Sequence, residues 1–132
     1  MKLLDTDHCI AILRGQLDLN ELVPPQEELG TTAISVAELT HGAYRSQHRE
    51  DNLARLEVLL SVLIILPFDE AAGRKFGELK AELEVRGEPL DQFDLQIASI
   101  AIENGCQLLT NNSRHISRIS GLQLENWLTK GE

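Results

Sequence analysis

Apolar positions along the chain switch repeatedly between a period of two and a period near 3.6, with short polar or glycine breaks between them. Lys2-Leu3-Leu4 reads as a short strand running into Asp5-Thr6-Asp7, after which residues 8–13 predict a helix closed by Gly15. Pro24-Pro25 marks a loop. Thr31-Thr32-Ala33-Ile34 is rich in β-formers, and Ser35-Val36-Ala37-Glu38 has the spacing of a capping box, which predicts a helix from Ser35 to about His48. Within 50–62, Leu53, Leu56, Leu59 and Leu60 recur at helical spacing, with Leu63 just beyond, whereas Ile64-Ile65-Leu66 before Pro67 reads as a buried strand. Asp69 is placed to cap a helix ending near Gly87. Residues 91–104 predict another helix, with Leu95, Ala98 and Ile102 on one stripe and Ile97 and Ala101 beside it. Residues 107–110 and 122–124 are the last strand candidates.

Short strands separated by helices, repeated about five times, imply right-handed crossovers and a parallel sheet covered on both faces. The expected fold is therefore α/β, three layers around a roughly five-stranded parallel sheet, with residues 1–132 forming one domain. No low-complexity stretch, repeat or long linker interrupts it. Ligands of such sheets gather beyond the carboxyl ends of the strands. That rule selects Asp5, Thr6 and Asp7, then Ser35 and Glu38, then Asp69, and finally 110–113.

Composition changes this picture in two ways. Twelve Lys and Arg against 21 Asp and Glu give a net charge of −9, so a generic basic phosphate-binding surface cannot be read from the totals. Any nucleic-acid partner needs local charge reversal or a metal. The longest apolar run, 62–66, is far short of the roughly 20 residues that span a bilayer, and Cys9 and Cys106 lack Cys-x-x-Cys spacing; with no leader ahead of them, a cytoplasmic protein with buried, reduced thiols is expected.

Asp5, Glu38 and Asp94 can all point into one cleft of a doubly wound sheet. Several carboxylates in such a cleft repel unless protons or a cation compensate. Oxygen donors without a His or Cys cluster favour a hard ion, Mg²⁺ or Mn²⁺, over zinc. Such an ion activates water and neutralises charge building on a phosphate, which is nuclease chemistry. Segment 87–103 holds Glu88, Asp91, Asp94 and Glu103 and no Lys or Arg, whereas 105–124 holds Arg114, His115 and Arg118 and no acid. Such a charge run is most often a solvated face; the functional reading is a metal wall beside a phosphate-holding wall, with His41, Arg45, His48 and Arg49 extending the basic option. The blander readings are helix caps for Asp69 and Asp91, a capping box for Ser35 and Glu38, turn residues for Asn111 and Asn112, and a core anchor for Trp127. His8 and His115 lack a nucleophile at motif spacing and rank low as general bases.

Leu4-Asp5-Thr6-Asp7, the run Ile34-Ser35-Val36-Ala37-Glu38-Leu39 with Gly42, Gly87-Glu88-Pro89-Leu90 leading into Phe93-Asp94-Leu95-Gln96-Ile97-Ala98, and Leu109-Thr110-Asn111-Asn112 with Arg114-His115 together resemble the PIN-domain ribonucleases, and within them the VapC toxins of toxin-antitoxin pairs. Gly121-Leu122 and Glu125-Asn126-Trp127 look like the closing strand, so the resemblance covers essentially the whole chain. It implies a Mg²⁺- or Mn²⁺-dependent endoribonuclease acting on a tRNA or rRNA, with Asp5 and Asp94 as principal metal ligands, Glu38 completing the acidic set and Asn112 standing where many PIN domains carry a fourth acid. Thr6, Ser35, Asp7 and Asp91 would support these groups. A VapB-type antitoxin covering the cleft, a homodimer, and contact with DNA only through the antitoxin are implied too. Asp7 stands where the family more often has Asn, and Asp91 where it often has Gly; both add negative charge beside the cleft. The alternatives are a receiver-type domain phosphorylated on Asp69, a phosphatase using Asp5-Thr6-Asp7, and a catalytically silent partner-binding domain of the same fold.

Overall fold

The computed structural model describes residues 1–128; the last four residues of the expected domain, 129–132, lie outside the described residues. Strand β1 (Lys2–Leu4) is followed by α1 (Thr6–Leu13), a short α2 (Leu19–Leu22), β2 (Leu29–Thr32), α3 (Ala33–Arg45), α4 (Arg49–Ser61), β3 (Ile64–Leu66), α5 (Glu70–Val85), α6 (Gln92–Glu103), β4 (Gln107–Leu109), α7 (Ser113–Ile116) and β5 (Leu124–Glu125). The strands form one parallel sheet in the order β3-β2-β1-β4-β5. The first strand in sequence is thus the middle of the sheet, and the strand order reverses beside it.

Adjacent residues on a strand face opposite sides, and β1 uses this fully. Leu3 packs with Ile97, Ile100 and Ala101 of α6, whereas Leu4 packs with Cys9, Leu39, Leu56 and Leu59 of α1, α3 and α4. Leu108 and Leu109 divide between the same two cores. A third cluster joins Leu79 and Leu83 of α5 to Leu95 and Ala98 of α6. The register of the middle strands therefore fixes where the residues just past their carboxyl ends emerge.

Three local expectations need correction. Helix α3 begins at Ala33, not Ser35, and ends at Arg45, short of His48; its cap is Thr32, whose Oγ1 accepts from the Ser35 N–H at 3.0 Å. A cap at the last residue of β2 lets the chain pass from strand to helix without a connecting loop. Strand β3 is an edge strand rather than a buried one, with Ile64 and Ile65 both exposed. Only Leu66, half-buried, packs against a core, the cluster around Leu3 and Ala72. The closing strand is Leu124–Glu125, shorter and later than 122–124 suggested. Among the described residues no helix is long and apolar enough to cross a membrane, and both Cys9 and Cys106 are buried and free. Burial pushes the Cys9 thiol up to about 12, which leaves it an unreactive packing group.

Candidate active site

The carboxyl ends of β1 and β4 lie side by side, because Leu4 pairs with Leu109 and the Asp5 N–H donates to the Leu109 carbonyl at 3.0 Å. Asp5 leaves the sheet there and caps α1, with an extended backbone. Its carboxylate is buried and both oxygens are held, with one acceptor site of Oδ2 left over: Oδ1 accepts from the His8 N–H at 2.9 Å and lies 2.8 Å from His8 Nδ1, and Oδ2 accepts from the Asn111 N–H at 3.1 Å. Each oxygen is aimed by groups that the fold itself places.

Thr6 Oγ1 donates to Glu38 Oε1 at 2.6 Å and stands 2.9 Å from Ser35 Oγ. Ser35 and Glu38 share one face of α3 because they are three residues apart. The spacing that suggested a capping box instead turns both side chains toward α1. Glu38 does not fold back onto the Ser35 amide, which Thr32 already satisfies.

Asp94 sits in the first turn of α6, whose cap is Asp91: Asp91 Oδ2 accepts from the Asp94 N–H at 3.1 Å. Asp94 Oδ2 accepts from Asn112 Nδ2 at 2.7 Å, and Asn112 Oδ1 in turn lies 2.6 Å from His115 Nδ1. Asn112 is therefore a bridge between the third acid and the short helix α7. Its amide fits this pose in one orientation only, with the nitrogen on the carboxylate.

Burial raises the Asp94 carboxyl above its ordinary range, Asn112 opposes this, and Asp91, Asp5 and Glu38 push it further up. Asp7 is raised by partial burial and then by Asp5, while a hydrogen bond from Asn111 works against the rise. Asp5, Glu38 and Asp94 thus share one electrostatic environment. Among the described residues no Lys or Arg forms an ion pair with Asp5, Asp7, Glu38, Asp91 or Asp94.

Among the described residues no three His, Cys, Asp or Glu side chains converge tightly enough to close a metal shell unaided. The donors still suit a hard ion. They are all oxygens, they repel one another without a compensating cation, and Mg²⁺ ordinarily keeps most of its waters when one or two carboxylates hold it. Asp5 and Glu38 both act electrostatically on Asp94, so a cation received here would meet all three charges.

On the basic side, Arg114 and His115 are exposed on α7. Arg118 is tied down: its Nη1 donates to the Pro89 carbonyl at 3.1 Å, and its own carbonyl accepts from Arg86. A shallow depression lined by Leu90, Asp91, Asn112, His115 and Arg118 joins this wall to the acids. On the other flank, beside Glu38, an apolar groove of about 300 Å³ runs between α1, α3 and α4, with Ile10, Leu13, Leu39 and Leu56 in its walls and Arg55 at its edge. His41, Arg45, His48 and Arg49 are all exposed, and none of them enters the hydrogen-bonded acidic cluster.

Asp69 lies elsewhere. It caps α5 after the edge strand, with β2 standing between β3 and β1, so a phosphorylated Asp69 would not share a site with Asp5. Sequence reasoning missed two contributors to the cluster, the ring of His8 and the backbone N–H of Asn111. His8 had a signal: it lies three residues after a capping Asp, the position from which a side chain reaches back to the cap. The amide had none, since it depends on the β1/β4 pairing across more than a hundred residues.

A family model for the PIN domain matches residues 2–122. The chain is 36% identical over 132 residues to the tRNA(fMet)-specific endonuclease VapC of Shigella flexneri, covering 95% of this chain and 96% of that one. It is 36% identical over 129 residues to ribonuclease VapC2 of Rickettsia felis, with the same coverage. The fold is similar to that in the crystal structure of VapBC2 from Rickettsia felis bound to a DNA fragment from its promoter, with a TM-score of 0.88, 35% identity, and coverage of 96% of this chain and 98% of that one. It is also similar to that in DNA-bound VapBC from Salmonella typhimurium, with a TM-score of 0.87, 32% identity, and coverage of 96% and 97%.

Proposed function

This chain belongs to the PIN-domain family, in its VapC branch, and from that premise we propose that it is the ribonuclease toxin of a toxin-antitoxin pair, a divalent-metal-dependent endonuclease that hydrolyses phosphodiester bonds of a tRNA or rRNA in the cytoplasm. The observation that carries the reading is the clustering of Asp5, Glu38 and Asp94, held by the protein's own donors and left without a Lys or Arg counter-charge.

Asp5 and Asp94 would hold Mg²⁺ or Mn²⁺, which when bound supplies Lewis-acid activation and offsets charge developing on the scissile phosphate. The remaining work falls to the chain. Glu38, with Oε1 anchored by Thr6, presents its second oxygen as acceptor for a proton of the attacking water. Asn112 holds Asp94 in one rotamer without adding another negative charge. Ser35 and Thr6 fix Glu38, and Asp91 fixes the helix start that carries Asp94. Arg114 and His115, exposed beside Asn112, receive backbone phosphates of the RNA next to the acids, and Arg118, held by the Pro89 carbonyl, adds positive charge to the same side. Asp7 adds charge at the rim, where it strengthens the demand for a cation.

The partner proposed is a VapB-type antitoxin, whose apolar segment suits the groove beside Glu38 and whose own DNA-binding part would bring the complex to DNA. The toxin itself is proposed to be a homodimer, supported by the exposed Val58, Val62, Ile64 and Ile65. Light scattering should return twice the chain's mass.

The test of function is cleavage. Purified protein incubated with total tRNA and Mn²⁺ should generate discrete new ends, EDTA should stop the reaction, and Asp5→Asn or Asp94→Asn should abolish it while circular dichroism stays unchanged. A well-folded wild-type protein that leaves tRNA and rRNA intact at saturating Mn²⁺ would overturn the reading in favour of a silent, partner-binding domain.

A further inference from the structure

We propose that His8 is a positioning residue that sets the orientation of Asp5 and couples it to the segment following β5; the inference rests on the reading of Asp5 as a cation ligand. His8 is completely buried, and both of its ring nitrogens are in use. The peptide N–H of Trp127 points at Nε2 across 3.1 Å. A donor at that place requires a lone pair on Nε2, so the ring hydrogen sits on Nδ1 and is donated to Asp5 Oδ1 at 2.8 Å. The tautomer is thereby fixed by a backbone group of the chain, not by solvent.

Outer-shell groups that hydrogen-bond to a metal's ligands fix their pose and basicity. Here the imidazole takes the outer place and the carboxylate the inner one. The two backbone donors to Asp5, from His8 and Asn111, locate its oxygens. Among the described residues the ring donor is the one side-chain group that hydrogen-bonds to Asp5, and it resists rotation of the carboxylate about its terminal bond.

Trp127 is itself anchored. Its indole Nε1 donates to Glu125 Oε2 at 2.8 Å, Glu125 Oε1 accepts from Lys2 Nζ at 3.0 Å, and that ammonium lies 5.6 Å from the indole ring centre. The His8 and Trp127 rings also meet edge to face, 6.1 Å between centroids. The pose of a proposed catalytic carboxylate and the docking of the chain's last strand therefore converge on one imidazole.

A space-filling role would tolerate any side chain of similar size, whereas a positioning role depends on which nitrogen is imitated. His8→Asn places an amide nitrogen near Nδ1, able to donate to Asp5, and abandons Trp127. His8→Gln reaches toward the Trp127 N–H with its carbonyl and abandons Asp5. Three measurements on the full chain decide: Mn²⁺ affinity from the spin resonance of the free ion, thermal unfolding, and the wild-type His8 tautomer from two-bond hydrogen–nitrogen NMR correlations. We expect hydrogen on Nδ1, Mn²⁺ affinity within about 3-fold of wild type for His8→Asn, and a loss of about 10-fold or more for His8→Gln. Hydrogen on Nε2, or equal losses of affinity in the two variants, would overturn the proposal, and the tautomer decides by itself if neither variant folds. Asp5→Asn serves as the control. If that variant binds Mn²⁺ as tightly as wild type, the assignment of the metal site fails, and not the role of His8 alone.

Discussion

Thr6 and Glu38, on different helices and 32 residues apart in sequence, are joined by a 2.6 Å hydrogen bond from Oγ1 to Oε1. The short distance marks a charge-assisted bond, which a hydroxyl gives and a methyl cannot. Thr6→Val keeps the shape and removes the donor. Glu38 then loses its fixed rotamer, and the cleavage rate should fall by about 10-fold with little change in substrate KM. Thr6→Ser should restore most of the rate. Single-turnover cleavage of a tRNA substrate checks both variants.

Asn112 sits 2.7 Å from a carboxylate oxygen of Asp94, so Asn112→Asp would set two carboxylates in contact. Without a cation, one of them must take up a proton or the contact must open. In EDTA the variant should unfold several degrees below wild type, on the order of 1–2 kcal/mol of lost stability. In saturating Mn²⁺ the gap should close, because a cation beside two carboxylates is bound more tightly than beside one and so stabilises the variant more than wild type. Differential scanning calorimetry with and without the ion reads this directly; a Mn²⁺-independent gap would count against a cation at Asp94.

Glu125 gives a pH dependence whose sign can be worked out. Burial alone would raise its carboxyl, but the hydrogen bonds from Lys2 and Trp127, with the Lys2 charge, together hold it below the ordinary 4.5. A carboxylate depressed in the folded state stabilises the fold above its unfolded value, and that contribution disappears as the pH falls through the lower folded value. The unfolding temperature of wild type should thus exceed that of Glu125→Gln near neutrality. The difference should shrink once the pH drops below 4.5, and a difference that grows on acidification would contradict the assignment.

Gly30 marks a place where the backbone leaves no room. A Cβ there would lie 2.8 Å from the Ile64 carbonyl oxygen and 3.0 Å from Met1 Sδ. Since Gly30 and Ile64 are register partners in the β2/β3 ladder, relief requires the strands to separate. Gly30→Ala should cost about 2 kcal/mol. Gly77→Ala, in α5 with nothing within 4 Å, should instead gain up to about 1 kcal/mol. Chemical denaturation of both variants makes the comparison internal.

The placement of Asp5 and Glu38 was legible because both follow the carboxyl end of a strand, where a doubly wound sheet presents its ligands. Asp94, in the first turn of a helix that follows another helix, lay outside that rule and stood out only as an acid at a helix start. Glu38 was placed on the right helix with the wrong local reason, since Thr32 rather than Ser35 supplies the cap, and helical phase cannot separate two neighbouring capping residues. The Ile64-Ile65-Leu66 run showed a strand but not its exposure, because an apolar run looks the same at a sheet edge as at its centre. The hold on Asp5 by Asn111 and His8, and that on His8 by Trp127, depended on pairings across the length of the chain. No local pattern carries such information.

The central place of β1 also governs when, during synthesis, the acidic cluster can be assembled. The segment bearing Asp5 is translated first, yet its neighbour β4 is synthesised about a hundred residues later. A polypeptide that stops short of β4 therefore lacks both the Asn111 N–H that holds Asp5 and the Asn112 amide that holds Asp94, so the acidic cluster takes its final geometry only when nearly the whole chain has been made.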